Sequence, residues 1–319
     1  MSADNLRLLV TLDCERDYGL GWETPSRLTF DGITRGLPDK LVPLFAEYGI
    51  RPTYLLSPEV IASPLCSDVF RGLQNCELGT HLHIEYVVPQ IATWDLNDSR
   101  IQVRGMQREC SFQLERDKME VLTELFCQQF ERPPRSFRAG RFGIGKNTGK
   151  ILLDLGYAVD SSVTPHLAWH TVGSEDGPDF REAQQLPYRV SQEGDLWRTG
   201  NASLLEIPIT ILPSDTFPSL DRGYPHWFRP WYSSRHVLDL IVRHMACLPP
   251  LPFPRPLVMM FHVMEVEPGC SPYPQTRDQV DQYLSDLRAT FGLVSHLGIQ
   301  SQTLFEYYQE FVQIGSRVE

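Results

Sequence analysis

Several features that would assign this chain to a familiar class are missing from its sequence. Its 319 residues contain no apolar run near the roughly 20 residues that a membrane-spanning helix needs. The N-terminus carries no basic run, and the first apolar stretch, which ends at Asp13, is too short for the core of a signal peptide. We therefore expect a cytoplasmic protein with no membrane partner.

Clusters of basic residues are also missing. Lys and Arg number 29 against 40 Asp and Glu, which gives a formal net charge of -11. An acidic surface repels a polyanion, so we expect no nucleic-acid partner. The seven cysteines are odd in number, widely spaced and without a Cys-x-x-Cys pair, so the sequence predicts neither a disulfide framework nor a thiolate zinc site.

What is present is the composition of a globular protein, with 42% hydrophobic and 22% charged residues. No internal repeat or clear linker divides the chain, so we expect one domain spanning residues 1–319. Short apolar runs alternate with helical patterns, which favours a parallel α/β fold. Between Thr164 and Leu204 the pattern dissolves, which indicates an irregular insertion or substrate-facing loops.

The pattern gives bounds for the individual elements. Strands are predicted at Leu6–Leu12, Pro52–Leu56, Cys76–His83, Phe137–Arg141 (strand into loop), Tyr157–Asp160, Leu204–Leu212 and Leu257–Phe261. Helices are predicted at Pro38–Tyr48, Gly105–Phe130, Gly145–Leu155, Ser233–Cys247, Asp278–Leu297 and Thr303–Val312. In such a fold the carboxyl ends of parallel strands lie at one edge of the sheet, where barrel enzymes place their active sites.

Two polar clusters at predicted strand ends could hold a metal ion. Asp13 and Glu15 end the first strand one residue apart, and could act as a base and a metal ligand or simply form a solvated turn. His81, His83 and Glu85 follow a later strand. Imidazole and carboxylate groups suit zinc, although a His-x-His pair alone is more often a surface or hydrogen-bonded feature.

Two further clusters carry arginine and histidine. Arg138 and Arg141 flank a small-residue turn, where they could hold a carboxylate ionised or form surface ion pairs. His262 lies just past a strongly apolar strand, a position where a lone histidine is more often a satisfied core residue. Each cluster alone could be a structural or surface feature, but four of them at strand ends together indicate an active site.

The order and spelling of these motifs resemble a known family. Thr-Leu-Asp-Cys-Glu at 11–15, Glu-Leu-Gly-Thr-His at 77–81, Phe-Arg-Ala-Gly-Arg at 137–141, Asp-Ser-Ser-Val at 160–163 and Phe-His at 261–262 before a Glu look like the successive motifs of the polysaccharide deacetylases. These are the NodB-homology proteins, or carbohydrate esterase family 4. The chain is closest to the divergent branch with Asp-x-Glu and Arg-Ala-Gly-Arg. The resemblance implies an α/β fold, a distorted (β/α)7 barrel, with a divalent metal for which zinc is our expectation.

The resemblance also implies roles for individual residues. Asp13 would be the general base, held by Arg138, and His262 would protonate the departing amine. Together with the metal, these groups would hydrolyse N-acetyl groups of amino sugars. Arg141 is expected to contact the substrate or an acidic neighbour, and Asp160 to bind sugar hydroxyls or to cap a turn. Four tryptophans in or beside irregular segments are expected to stack on sugar faces or to anchor packing: Trp169, Trp197, Trp227 and Trp231.

Two departures from the family pattern affect the metal ligands. Cys14 stands where many members have a second aspartate, so the carboxylate ligand would be Glu15. Glu85 stands where many members have a second histidine, so either His83 or Glu85 would complete the site. We prefer Glu15, His81 and His83 as ligands, because imidazole is the commoner partner of zinc.

The leading functional hypothesis is a metal-dependent deacetylase that acts on an amino sugar or a polysaccharide precursor. One alternative is the hydrolysis of a non-sugar amide or a cyclic imide. Another is a non-catalytic, glycan-binding barrel with a degenerate metal site, which the departures at Cys14 and Glu85 motivate. Partners are expected to be a carbohydrate or a small amide substrate, and the sequence does not predict an oligomeric state.

Overall fold

A parallel β-sheet organises the protein. The computed structural model describes residues 5–23, 27–88, 105–169, 177–220 and 223–315. The strands are β1 (Leu6–Cys14), β2 (Thr53–Leu56), β3 (Glu77–Leu82), β4 (Ser136–Ala139), β5 (Val159–Asp160), β6 (Tyr188–Arg189), β7 (Leu205–Glu206), β8 (Ile211–Leu212), β9 (His226–Trp227), β10 (Arg255–His262) and β11 (Gln300–Ser301).

The main sheet has the order β10-β1-β2-β3-β4-β5-β7-β6, with β11 paired to the start of β1. Strands β10 to β7 along this order are parallel, and β6 alone is antiparallel to its neighbour β7. The register sets Asp13 opposite His262 and His81 opposite Arg138. Residues from distant parts of the chain therefore meet at the carboxyl edge of the sheet.

Helices cover the sheet and bury its apolar strands. They are α1 (Val42–Tyr48), α2 (Pro58–Ala62), α3 (Pro64–Gly72), α4 (Phe112–Phe130), α5 (Thr148–Asp154), α6 (Arg235–Cys247), α7 (Arg277–His296) and α8 (Leu304–Gly315), with a π-helical segment Gly32–Leu41 leading into α1. Strand β1 is apolar almost throughout and buried along most of its length, as expected of a central parallel strand. Among the described helices, none is both long and apolar enough to cross a bilayer.

The predicted strand Leu204–Leu212 is wrong as a single element. It splits into β7 and β8, and the residues between them leave the ladder at Pro208, which has no backbone N–H to donate. The residues between β7 and β8 connect the β5 side of the curled sheet to the β10 side. The backbone N–H of Ile207 donates to the Asp160 carbonyl at 2.9 Å, and that of Thr210 donates to the Val258 carbonyl at 3.2 Å.

Helix boundaries also differ from the predicted ones. The helix expected at Gly105–Phe130 begins only at Phe112, because Ser111 accepts a hydrogen bond from the Leu114 N–H at 3.3 Å and caps it. The helix expected from Pro38 begins earlier, at Gly32. Of the predicted irregular region, residues 164–169 and 177–204 are described and contain one short strand, β6, while 170–176 lie outside the described residues.

Candidate metal and catalytic centre

The structure brings the polar clusters of four strand ends to one cavity of about 280 Å³. Its lining includes most of the residues that the sequence singles out: Asp13, Glu15, His81, His83, Arg141 and His262. Arg138 lies fully buried beneath the cavity. Four elements supply these side chains, β1, β3, β4 and β10, so the cavity lies at the carboxyl edge of the sheet.

Three side chains converge as candidate metal ligands. Glu15 Oε1 lies 3.1 Å from His81 Nε2 and 3.3 Å from His83 Nε2, and all three residues are buried. The Nδ1 atom of His81 donates to the Arg138 carbonyl at 3.0 Å, so its Nε2 faces Glu15. Gly140 makes this approach possible, because a Cβ there would lie 2.9 Å from the His83 ring.

The donor set fits a divalent cation. Neither ring nitrogen of His83 has a hydrogen bond of good geometry among the described residues, although the ring is only 5% exposed. A buried nitrogen without a partner is costly, and metal coordination would satisfy it. Glu85 lies on the other side of this ring, where its Oε1 is 3.6 Å from His83 Nδ1 and binds Arg141 Nη2 at 2.5 Å. The geometry thus groups Glu15, His81 and His83, with Glu85 behind them.

The electrostatics of the three ligand groups follow from their crowding. Burial alone would lower the pKa of His83, but the Glu15 charge together with the close contacts to the Glu15 and Glu85 carboxylates raises that pKa to about 10. Burial likewise opposes ionisation of Glu15, but the charge of His83, the hydrogen bond of His81 and the close approach of the His83 ring hold the Glu15 pKa well below its usual value. The cluster therefore favours positive charge next to Glu15, which a proton or a metal ion can supply.

Asp13 is held as an ionised acceptor. Arg138 donates from Nη1 to Asp13 Oδ1 at 2.7 Å and from Nη2 to Thr11 Oγ1 at 2.8 Å. Burial would raise the pKa of Asp13, but the Arg138 charge, followed by those of His81 and His262, brings it below its usual value. The second oxygen, Oδ2, lies 3.9 Å from His81 Nε2 and faces the candidate ligands. Asp13 is thus placed to accept a proton beside them.

His262 occupies the other side of the cavity with its own support. Its Nδ1 lies 2.7 Å from Glu265 Oε1, and its Nε2 lies 3.6 Å from Glu15 Oε1. Glu265 is fully buried and also accepts from Arg229 Nη2 and from Tyr283 Oη, each at 2.7 Å. Burial would raise the pKa of Glu265, but the Arg229 charge holds it below its usual value. An ionised carboxylate therefore fixes the orientation of the His262 ring.

The role of these supporting residues was not predicted from the sequence. Glu265 had a usable signal, since it follows His262 by three residues at a strand end. Arg229 and Tyr283 had none, because one lies in an irregular segment and the other on α7.

The two expected substrate contacts have different outcomes. Arg141 lines the cavity and also binds the acidic neighbour Glu85. Asp160, which was expected to bind sugar hydroxyls or to cap a turn, is fully buried and is not among the residues that line the cavity. Ser162 Oγ donates to Asp160 Oδ1 at 2.6 Å, and Glu206 lies beside it in the adjacent strand. The side chain points into the core because β5 is buried on both faces.

Aromatic side chains form much of the remaining cavity wall. Of the four tryptophans considered from the sequence, Trp169 lines the cavity, whereas Trp197 stacks on Phe180 elsewhere. Trp22 lines it too and was not anticipated. Trp22, Arg141 and Phe142 have positive φ angles of 63°, 56° and 53°. Backbone strain of this kind clusters at functional sites, where the surrounding fold holds it in place.

Comparisons with known proteins support the fold. No protein-family model matches the chain, and no curated protein sequence does. Puue allantoinase superposes with a TM-score of 0.55 at 14% identity, covering 96% of this chain and 89% of that one. The GH57-type branching enzyme of Pyrococcus horikoshii gives a TM-score of 0.51 at 13% identity, covering 96% and 70%. The peptidoglycan deacetylase PdaC of Bacillus subtilis gives 0.45 at 9% identity, covering 99% and 96%.

At these identities the likeness concerns the fold. The expectation of a distorted (β/α) barrel is confirmed, because the chain shares its fold with Puue allantoinase.

Proposed function

We propose that this protein is a metal-dependent amide hydrolase that removes N-acetyl groups from an amino sugar or a polysaccharide precursor in the cytoplasm. Glu15, His81 and His83 would hold the cation, which we expect to be zinc. The observation that carries the proposal is the position of Asp13 and His262, which flank these three ligand atoms within one buried cavity.

The proposed roles follow from the contacts of each side chain. A divalent cation at Glu15, His81 and His83 would polarise an amide carbonyl and acidify water. Asp13, kept ionised by Arg138, would accept the proton of the attacking water. His262, oriented by Glu265, would donate a proton to the amine as the C–N bond breaks. Base and acid would thus act from two sides of the scissile bond.

The departure at Cys14 does not argue for a decayed site. This side chain is fully buried and its thiol donates to the Leu12 carbonyl at 3.5 Å. Burial raises the pKa of the Cys14 thiol well above its usual value, so no thiolate is expected at neutral pH. Cys14 therefore packs into the core on the strand face away from Asp13 and Glu15, and the ligand set is complete without it.

The second candidate function is hydrolysis of a non-sugar amide or a cyclic imide. Two observations favour keeping it: the shared fold with an allantoinase and the aromatic cavity wall. The two candidates use the same base, acid and metal ligands, because both cleave an amide bond. They differ only in the part of the substrate that carries the amide, which is a sugar in the first candidate and a non-sugar group in the second.

The test starts with protein stripped of metal and then reloaded with zinc. Bound metal is measured by elemental analysis, acetate release from N-acetylglucosamine oligomers by an enzymatic assay, and ring opening of cyclic imides by absorbance. Stoichiometric zinc and acetate release that Asp13→Asn abolishes would support the deacetylase. Ring opening without acetate release would support the second candidate. A protein that takes up no metal from zinc-replete buffer would contradict both and leave the non-catalytic glycan-binding barrel.

A further inference from the structure

A continuous chain of aromatic rings borders the cavity. It begins after β4 with Phe142, whose ring stacks on Trp169 at a centroid distance of 5.1 Å. Trp169 meets Trp227 at 6.2 Å, and Trp227 stacks on Tyr232 at 5.6 Å. These distances lie within the range of direct aromatic contact. Phe142, Trp169 and Tyr232 line the cavity, and the buried Trp227, which does not line it, connects them, so the four rings form a packed wall along one side of the cavity.

The same chain continues to the far side of the cavity. Tyr232 contacts Tyr273 at 5.7 Å, Tyr273 contacts Trp22 at 5.5 Å, and Trp22 contacts Tyr18 at 5.4 Å, directly after β1. We call the seven residues from Phe142 to Tyr18 the aromatic collar. One end of the collar follows β4 and the other follows β1. Strand β3 lies between these two strands in the sheet, and Tyr86, which follows β3, also lines the cavity. The strand ends thus border one side of the cavity, and the collar borders the opposite side.

The cavity is small. Its volume of about 280 Å³ lies below the roughly 300–1,000 Å³ of pockets that hold drug-sized ligands. An internal unit of a polymer needs a groove that is open at two ends, because the chain continues in both directions. Among the described residues, the rings of the collar contact one another without a gap along the side where such a second opening would lie.

The charges of the cavity wall are already compensated. Arg141 and Arg229 are the guanidinium groups among its lining residues. Arg141 binds Glu85 with two nitrogens, at 2.5 and 3.3 Å, and Arg229 binds Glu265 at 2.7 Å. A phosphate or carboxylate on a substrate would have to compete with these buried carboxylates for a cation.

We propose that the aromatic collar selects an uncharged substrate of monomer size, which enters end-on with its amide at the metal ligands and a planar or apolar face against the rings. This inference rests on the proposed amide hydrolysis and narrows its substrate class. Free N-acetylated monomers and the terminal unit of an oligomer satisfy it. Internal units of a glycan chain and monomers that carry a phosphate do not.

The test compares three substrates of the zinc-loaded protein that share the same acetamide. They are the aryl glycoside of N-acetylglucosamine, N-acetylglucosamine 6-phosphate and the linear N-acetylglucosamine tetramer. We expect a kcat/KM for the uncharged monomer at least about tenfold above that of the phosphate. Mass-spectrometric sequencing of the tetramer should find the acetyl group lost from a terminal unit. Loss from internal units at equal rate, or preference for the phosphate, would overturn the inference and leave amide hydrolysis intact.

Two collar variants connect the selection to the rings. Trp22→Ala removes the ring that contacts His262. Tyr232→Ala removes a ring that is 59% exposed, so this variant should fold normally. Each should raise the rate at internal units relative to terminal ones by about tenfold. Trp197→Ala, outside the cavity lining, is the matched control and should leave the ratio unchanged. Unchanged ratios in both collar variants would refute the role of the collar. Acetate release no faster than in Asp13→Asn on every substrate would instead refute the proposed function, and the inference with it.

Discussion

The floor of the cavity and the aromatic collar are built in different ways. The floor consists of the ionisable side chains at the ends of parallel strands, namely Asp13, Glu15, His81, His83 and His262. Hydrogen bonds from other parts of the chain hold several of them, as Arg138 holds Asp13. The collar consists of rings from irregular segments, which hold one another by edge and face contacts. Rigid strands give the floor precise distances, whereas loops give the collar its shape.

This difference indicates a division of function. Substitutions in the floor should change the chemical step on every substrate, because the same base, acid and metal ligands act on each of them. Substitutions in the collar should change which substrate is used.

The strongest effect is expected from Asp13→Asn in the floor. The variant keeps the shape of the side chain but cannot accept a proton, so kcat should fall by about 10³-fold on all substrates with KM little changed. Steady-state kinetics of the zinc-loaded protein measures this. Asp39→Asn, at an exposed aspartate, is the matched control. A fall confined to one substrate would break the separation between floor and collar.

Metal binding should distinguish His83 from Glu85. His83→Ala removes a proposed ligand and should weaken zinc binding more than Glu85→Gln, for which a loss of about tenfold is expected of a residue behind a ligand. Competition with a zinc-binding dye gives both affinities. Since the pKa of His83 is about 10 without metal, zinc must displace a proton, and affinity should rise with pH up to that value. Equal losses, or an affinity independent of pH, would contradict the assignment.

The proposed role of His262 as the proton donor can be tested with substrates whose leaving groups differ in their need for a proton. Glu265→Gln weakens the support of His262, so hydrolysis of an N-alkyl acetamide should slow by about 10- to 100-fold. An activated aryl acetate, whose leaving group needs no proton, should be cleaved at nearly the unchanged rate. Glu267→Gln, at a neighbouring glutamate that binds Lys40, is the control. Equal slowing on both substrates would indicate general structural damage instead of a role in proton donation.

The smallest effect concerns stability away from the cavity. Burial raises the pKa of Glu206 well above its usual value, and that of Asp160 beside it is raised as well. A folded pKa above the unfolded one makes stability fall as pH rises through the unfolded value, about 4.3 for Glu. Glu206→Gln should flatten that fall between pH 4 and 7, as urea denaturation would measure. The exposed Glu193→Gln should leave the pH profile as it is.

The floor was more predictable from the sequence than the collar, for a physical reason. Asp13, His81 and His262 each follow an apolar strand, and parallel strands bring their carboxyl ends together whatever the loops do. Tyr18, Phe142 and Tyr273 lie in segments without periodicity, and nothing local shows that such rings will meet. Asp160 also lies at a strand end, but it is buried outside the cavity lining, because the end of a strand can also point into the core. The predicted roles of the floor residues stay predictions until they are measured.

The most direct test of the account is an anomalous difference map from a zinc-soaked crystal, recorded at the zinc absorption edge. We predict a single strong peak in the cavity, within bonding distance of Glu15 Oε1, His81 Nε2 and His83 Nε2, with Asp13 and His262 facing it. A zinc ion bound elsewhere, or no peak between these three atoms at full soaking, would contradict the metal-dependent hydrolase.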